Sequence, residues 1–389
     1  MRVLIAIAFL LPVQIFAQPT TDYTVKGRTT GKLPQVAYGL GDDRLGGAKM
    51  GYIDTSVLVN IADSINDQYL LQLSAYHKAY INKNFIRLDS GGRPPLGGYL
   101  TSSFLITGDD KFDYLDIHLN EKLPYKTWME TNPSKIELLI YGVQCNTNWI
   151  TQKRSAGEIK EVSLQQPEDD VVKVTINLLH NQHWGYSVFY SGNNLIIRVR
   201  HKPKNLSIKN LSIAIDAGHG GTNSGAKGVN TNTYEKLYTL RFAEELQRLL
   251  RHKGARVTMT RTADTTINNV DRVIQLQQII PDVAISLHLN SSGRATASGV
   301  STYYKHIGFK QLSTNILDKM LDLNLNEFGN VGNFNFALNA PTDYPNCLVE
   351  IAFLSNAADE KKIVDPRFQK SVAVKIYRGI KQWLRSAGQ

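Results

Sequence analysis

The sequence predicts an α/β domain at its C-terminal end: a mainly parallel sheet covered by helices on both faces. Small all-β domains precede it. Three observations carry this expectation. From Leu206 onward, apolar runs alternate with stretches of helical period. Before Leu206 the runs are short, alternating and broken by Gly, Asp and Asn. In the C-terminal part, apolar runs end at His219, His288 and Glu350. An α/β sheet delivers polar groups to one rim in this way.

The chain has 389 residues, enough for two or three domains, and 42% are hydrophobic. Its first residues read MRVLIAIAFLLPVQIFAQ. Arg2 precedes an apolar run to about Phe16, and Ala17 is small enough for cleavage before Gln18. Residues 1–17 therefore read as a secretory signal peptide, too short for the roughly 20 residues of a membrane span. The expected location is exported, periplasmic or associated with the cell envelope. Formal net charge is +10, most of it from Leu206 onward. A basic exported domain suits an anionic envelope polymer, and export disfavours nucleic acid as a partner. Cys145 and Cys347 fall in different expected domains and read as two buried thiols, not as a disulfide framework.

A polar leader runs to about Leu33. Residues 34–100 read as a small barrel-like domain, with strands beginning near Asp67 and Ala79. The block Leu45–Leu88 resembles bacterial Src-homology-3-like modules. Asp89–Leu100, rich in Gly and Pro, reads as a linker. Residues 103–203 carry the runs YLDIHL, KIELLIYGV, VVKVTINLL and GYSVFYSGNNLIIRVR. The last has a Ser-Gly-Asn-Asn turn, a hairpin signal, and the block reads as an antiparallel sandwich. Its closing pattern resembles the AMIN domain that precedes some cell-wall amidases, which implies a role in localisation. Both β domains offer surfaces for other envelope proteins.

Residues 206–389 carry strands LSIAID, RVTMT, VAISLH, GVSTYY and CLVEI, with helices expected over Tyr234–His252, Val270–Ile280, Leu312–Leu325 and Phe368–Leu384. His219 sits in a glycine-rich turn, AIDAGHGG, where a metal and substrate could approach the backbone. Neither the phosphate-loop nor the dinucleotide fingerprint is present there. Taken singly, each candidate has a plain alternative. His219 reads also as a bystander in a turn, and Glu235 as an exposed first-turn acid. His288 reads also as a hydrogen-bonded core histidine, and Glu350 as half of a buried ion pair.

Together they are more specific. The blocks IAIDAGHGGTNSGAKG, YEKLYTLRFAEEL, ARVTMTRTAD, DRVIQLQQIIPDVAISLHLNSS, GVSTYY and CLVEIAFLSNAADE occur in one order over residues 211–385. They resemble the zinc-dependent N-acetylmuramoyl-L-alanine amidases of bacterial cell-wall remodelling. The resemblance implies that His219, Glu235 and His288 bind one Zn²⁺ ion and that Glu350 is the catalytic acid/base. It implies peptidoglycan as substrate and cleavage between muramic acid and the first L-alanine. Asn290 and the backbone near Gly220 are expected to orient substrate. The chain departs from the family with Ala217 where Pro is frequent, and with Asn223-Ser224 where Asp-Pro is frequent; neither removes a ligand. Some regulated relatives carry an inserted helix that blocks the zinc, and the stretch Tyr304–Asn346 leaves little room for one. The rival readings are a non-catalytic peptidoglycan binder and a zinc peptidase acting within the stem peptide.

Overall fold

A computed structural model describes residues 25–41, 46–89 and 98–388. The signal-peptide segment and most of the expected linker lie outside these residues. The described chain forms four sheets. The first is seven-stranded and antiparallel, running from Val25–Thr29 to Ile86–Asp89. Its first strand lies ahead of Leu33, inside the stretch read as a polar leader. That strand has only one large apolar residue, Val25, but it pairs along Leu58–Ile65 and buries Thr29. Tyr141 and Val171 of the following unit complete the core of this sheet, against Val59, Leu71 and Ile81.

Residues 101–200 form a four-stranded and a five-stranded sheet packed face to face. Ile136, Leu138 and Ile140 of one meet Leu115, Ile117 and Ile197 of the other, the period-2 pattern of a sandwich. All pairings are antiparallel except Ile150–Gln152, which runs parallel to Thr101–Gly108. The Ser-Gly-Asn-Asn turn joins Tyr186–Ser191 to Asn194–Arg200, with Ser191 opposite Asn194.

The C-terminal part contains β1 (Ser212–Ala217), α1 (Glu235–His252), β2 (Arg256–Met259), α2 (Asn269–Ile279), β3 (Val283–Asn290), β4 (Val300–Tyr303), α3 (Lys310–Leu321), β5 (Glu327–Val331), β6 (Asn346–Phe353), α4 (Ala357–Ile363) and α5 (Pro366–Ser386). Sheet order is β2-β1-β3-β6-β4-β5. Strands β2, β1, β3 and β6 run parallel; β4 is antiparallel to β6 and parallel to β5. Every residue of β6 is buried, as its continuous apolar run requires of a central strand. Along β1 the residues alternate between two cores. Ile213 and Ile215 pack with α1, α3 and α5, while Ala214 packs with Val273 and Leu276 of α2.

The helices follow from their periodicity and caps. In α1, Tyr238, Phe242, Leu246 and Leu250 form the buried stripe. The Asn268 side chain caps α2 by accepting from Asp271 N, and Asp365 caps α5 ahead of Pro366. Helix α4 and strand β5 were absent from the sequence reading. Helix α4 is only seven residues long, too short to display a period, although Asn356 caps it on Ala358 and Asp359. Strand β5 is exposed or half-buried throughout and has only Phe328 and Val331 as large apolar residues.

The sandwich and the C-terminal unit are interlocked. Trp184 sits in the C-terminal core, 5.2 Å from Trp383 between ring centroids, and Phe309 sits in the sandwich core. Arg200 donates to Asp282 Oδ1 at 2.6 Å and to the carbonyls of Ile280 and Pro281. Cys347 is buried and Cys145 only half-buried; both are free thiols. Among the described residues no helix is long and apolar enough to cross a membrane.

Candidate metal centre and catalytic cleft

His219, Glu235 and His288 converge although they come from a turn, a helix start and a strand end. Their ligand atoms all lie within 4.8 Å of one another. His219 Nε2 is 3.1 Å from Glu235 Oε2, and His288 Nδ1 is 3.0 Å from Glu235 Oε1. The two imidazoles meet edge to face, 4.9 Å between centroids. Backbone amides hold the carboxylate from both sides: Leu289 N donates to Oε1 at 2.9 Å and Ala226 N to Oε2 at 2.8 Å. His219 is oriented in turn by Asn223, whose Oδ1 lies 2.8 Å from Nδ1.

Two glycines leave room for this trio. A Cβ on Gly218 would lie 2.4 Å from the His288 ring. A Cβ on Gly225 would lie 2.4 Å from Glu235 Oε2 and 2.7 Å from the His219 ring, at φ +69°. His219 itself has φ +61°, a left-handed conformation unfavourable for a non-glycine residue.

Two buried arginines hold that conformation. Arg272 donates to Ala217 O at 2.8 Å and His219 O at 2.5 Å, and pairs with Asp216 Oδ1 at 2.6 Å. Arg261 donates to Ala217 O at 2.9 Å and Gly218 O at 3.0 Å. Three consecutive carbonyls of the turn that carries His219 are thus fixed by guanidinium groups. Asp216, which also accepts from Thr260 and Ser286, balances one of the two buried charges. Neither arginine was singled out from the sequence. In a polar stretch an arginine looks like any solvated one, and membership of the blocks ARVTMTRTAD and DRVIQLQQIIPDVAISLHLNSS gives neither a role.

Electrostatics follow from this packing. Burial alone would raise the Glu235 carboxyl, but hydrogen bonds and charge from both histidines outweigh it and hold it well below the usual carboxylate range. Burial would lower His288, but Glu235, with Glu350 and Asp216, pushes it up to about 9. Glu235 and His288 thus shift one another in opposite directions, the carboxyl down and the imidazole up.

Glu350 lies one strand away. It is 8% exposed in β6 and is the register partner of His288 in β3. Both line a cleft of about 600 Å³ with His219, Glu235, Asn290 and Phe336. Asn290, at the end of β3, thus faces the cleft. Gly220 does not line it; it turns toward Thr265 O and Arg261. Between Tyr304 and Asn346, a short turn at Ala337–Asn339 lines the cleft wall. His180 and His183 are remote: His180 pairs with Glu158 at 2.6 Å, and His183 Nε2 lies 2.8 Å from Glu130 O.

Residues 213–382 match the N-acetylmuramoyl-L-alanine amidase family. His219, Glu235, His288 and Glu350 all fall within that matched segment. The chain is 31% identical over 191 residues to a probable cell wall amidase, LytH, of Staphylococcus saprophyticus, covering 49% of this chain and 64% of that protein. It is 34% identical over 184 residues to the Staphylococcus epidermidis LytH, covering 46% and 60%. The chain thus spans about three fifths of these relatives' length. Among solved structures, the catalytic domain of the amidase CwlV from Bacillus (Paenibacillus) polymyxa var. colistinus is 32% identical. It covers 45% of this chain and 98% of that one, with a TM-score of 0.42. The seven-stranded sheet and the sandwich lie outside the amidase-family segment.

Proposed function

We propose that this chain is an exported, zinc-dependent N-acetylmuramoyl-L-alanine amidase acting on peptidoglycan. The observation that carries the reading is the convergence of His219, Glu235 and His288 beside Glu350 in one cleft. Two imidazoles and one carboxylate are a familiar donor set for catalytic zinc, and they leave a coordination position open. The close approach of Gly218 and Gly225 to the trio is what a compact metal cradle needs. When bound, the ion supplies Lewis acidity toward water and the substrate carbonyl.

The protein's own groups do the rest. Glu350 takes a proton from the attacking water, whose oxygen bonds to the lactoyl carbonyl carbon. Glu350 then returns the proton to the alanine nitrogen as the C–N bond breaks. Asn290, which lines the cleft at the end of β3, orients the substrate in this reading. The products are a free lactoyl carboxylate on muramic acid and a peptide beginning with L-alanine. The leader Met1–Ala17 and the basic charge fit work on an anionic polymer outside the cytoplasm.

The test is release of peptides from purified peptidoglycan by the zinc-loaded chain and by Glu350→Ala. The reading requires cleavage by the first and none by the second, with zinc still bound. Peptide release by Glu350→Ala at the unsubstituted rate would overturn the assigned role.

A further inference from the structure

Outside the catalytic cleft, a cluster of lysines without ion-pair partners lies where the three structural units meet. A groove of about 550 Å³ opens there, lined by Tyr38 and Lys49 of the first sheet, Lys126 and Trp128 of the sandwich, and Tyr304 and Lys305 of the C-terminal unit. Each unit contributes one lysine and one aromatic ring. Among the described residues, none of the three lysines has a carboxylate within ion-pair distance. Nearby acids are already engaged. Glu130 accepts from Trp128 Nε1 at 3.0 Å and pairs with Lys135 at 3.0 Å, and Glu137 pairs with Lys135 and Lys173.

The lysines are placed, not splayed. Lys126 Nζ lies 4.9 Å from the Tyr38 ring centroid and 5.2 Å from that of Trp128. Lys305 Nζ donates to Lys49 O at 3.1 Å and to Asn335 Oδ1 at 3.3 Å. Lys305 is therefore held against the strand that carries Lys49. Burial and that like charge lower the Lys305 ammonium to about 8. Bringing like charges together away from full solvation costs free energy, and a bound anion offsets that cost.

The groove and the cleft draw on neighbouring parts of one segment. Gly332 and Asn333 line the groove, and Phe336, Ala337 and Leu338 line the cleft. One short segment therefore forms a wall of both. Asn335, between them, accepts from Lys49 N at 3.1 Å and donates to Gly47 O at 3.2 Å.

We propose that this groove is a second binding site for the anionic wall polymer, taking the carboxylates of a stem peptide that is held while another is cut. The proposal rests on the amidase reading for the identity of the polymer. It differs from that reading in making polymer affinity depend on residues remote from the metal trio.

The test uses the full chain carrying Glu350→Gln, so that cleavage does not confound binding, co-sedimented with insoluble peptidoglycan. Lys126→Glu, and separately Lys305→Gln, should weaken binding about tenfold at low salt and remove most of its salt dependence. Stripping stem peptides from the polymer should produce the same loss, and removing its phosphate-bearing polymers should not. In the otherwise unsubstituted chain, the same lysine changes should raise KM on the polymer with kcat unchanged. Turnover of a small soluble muramoyl peptide should stay the same. Lys126→Glu and Lys305→Gln variants that bind like the parent overturn the proposal, as does binding that follows phosphate and not stem peptides. Failure of the amidase reading is distinguishable: the unsubstituted chain would then release nothing from either substrate, whatever the sedimentation result.

Discussion

His288 and Glu350 are register partners on neighbouring parallel strands, β3 and β6. The sheet thereby fixes a ligand candidate and an acid/base candidate side by side, and their relative position does not depend on a loop. The Glu350 charge reaches far enough to help raise His288. Glu350→Gln should lower turnover by a factor of roughly 10² to 10⁴. Zinc content after dialysis and the thermal midpoint should stay at the parent values. Loss of zinc from that variant would mean that Glu350 is a ligand and not the base.

Glu235 is the hub of the trio, touching both histidines and two backbone amides. Glu235→Ala should abolish stoichiometric zinc binding and leave the Leu289 and Ala226 amides without their acceptor. The expected cost to stability is about 1–3 kcal/mol per unsatisfied buried group. Metal analysis alongside chemical denaturation checks both parts.

Gly225→Ala tests the cradle without removing a donor. Its methyl group would press on Glu235 and His219, and φ +69° adds backbone strain. Zinc affinity, measured by competition with a chromogenic chelator, should fall by about 10- to 100-fold. An unchanged affinity would show that the trio tolerates rearrangement.

The Arg272–Asp216 pair supplies a pH-dependent stability term. Burial would raise Asp216, but Arg272 foremost, then His288 and the Ser286 and Thr260 hydroxyls, hold it below its ordinary value. A carboxyl depressed in the folded state contributes stability above its unfolded pKa, and that contribution is lost as pH falls through its folded pKa. Asp216→Asn should therefore destabilise the chain by about 3–5 kcal/mol near neutrality, with the difference from the parent shrinking in acid. Urea denaturation at pH 7 and at pH 3 measures both. A difference that grows in acid would refute the assignment.

How far the sequence revealed these parts depended on the kind of signal each residue leaves. His219, His288 and Glu350 were legible because each ends or interrupts an apolar strand. Glu235 leaves almost no local signal, since an acid opening a helix is ordinary; only the ordered family blocks drew attention to it. Arg261 and Arg272 were missed because burial of an arginine is a tertiary fact. Asn223 and Gly225 belong to a turn whose close approach to Glu235 no periodicity encodes. The direction of β4 was hidden for a similar reason: an apolar run looks the same whichever way its strand runs. The strand at Val25–Thr29 looked like a polar leader because its partner, not its composition, makes it a strand.

The proposed activity is defined by the bond that is cut. Mass analysis of the products released from purified peptidoglycan by the zinc-loaded chain tests it most directly. An amidase releases intact stem peptides with a free L-alanine amino terminus, and leaves glycan whose muramic acid carries a free lactoyl carboxylate. Peptides shortened by cleavage within the stem, with L-alanine still attached to muramic acid, would contradict that activity.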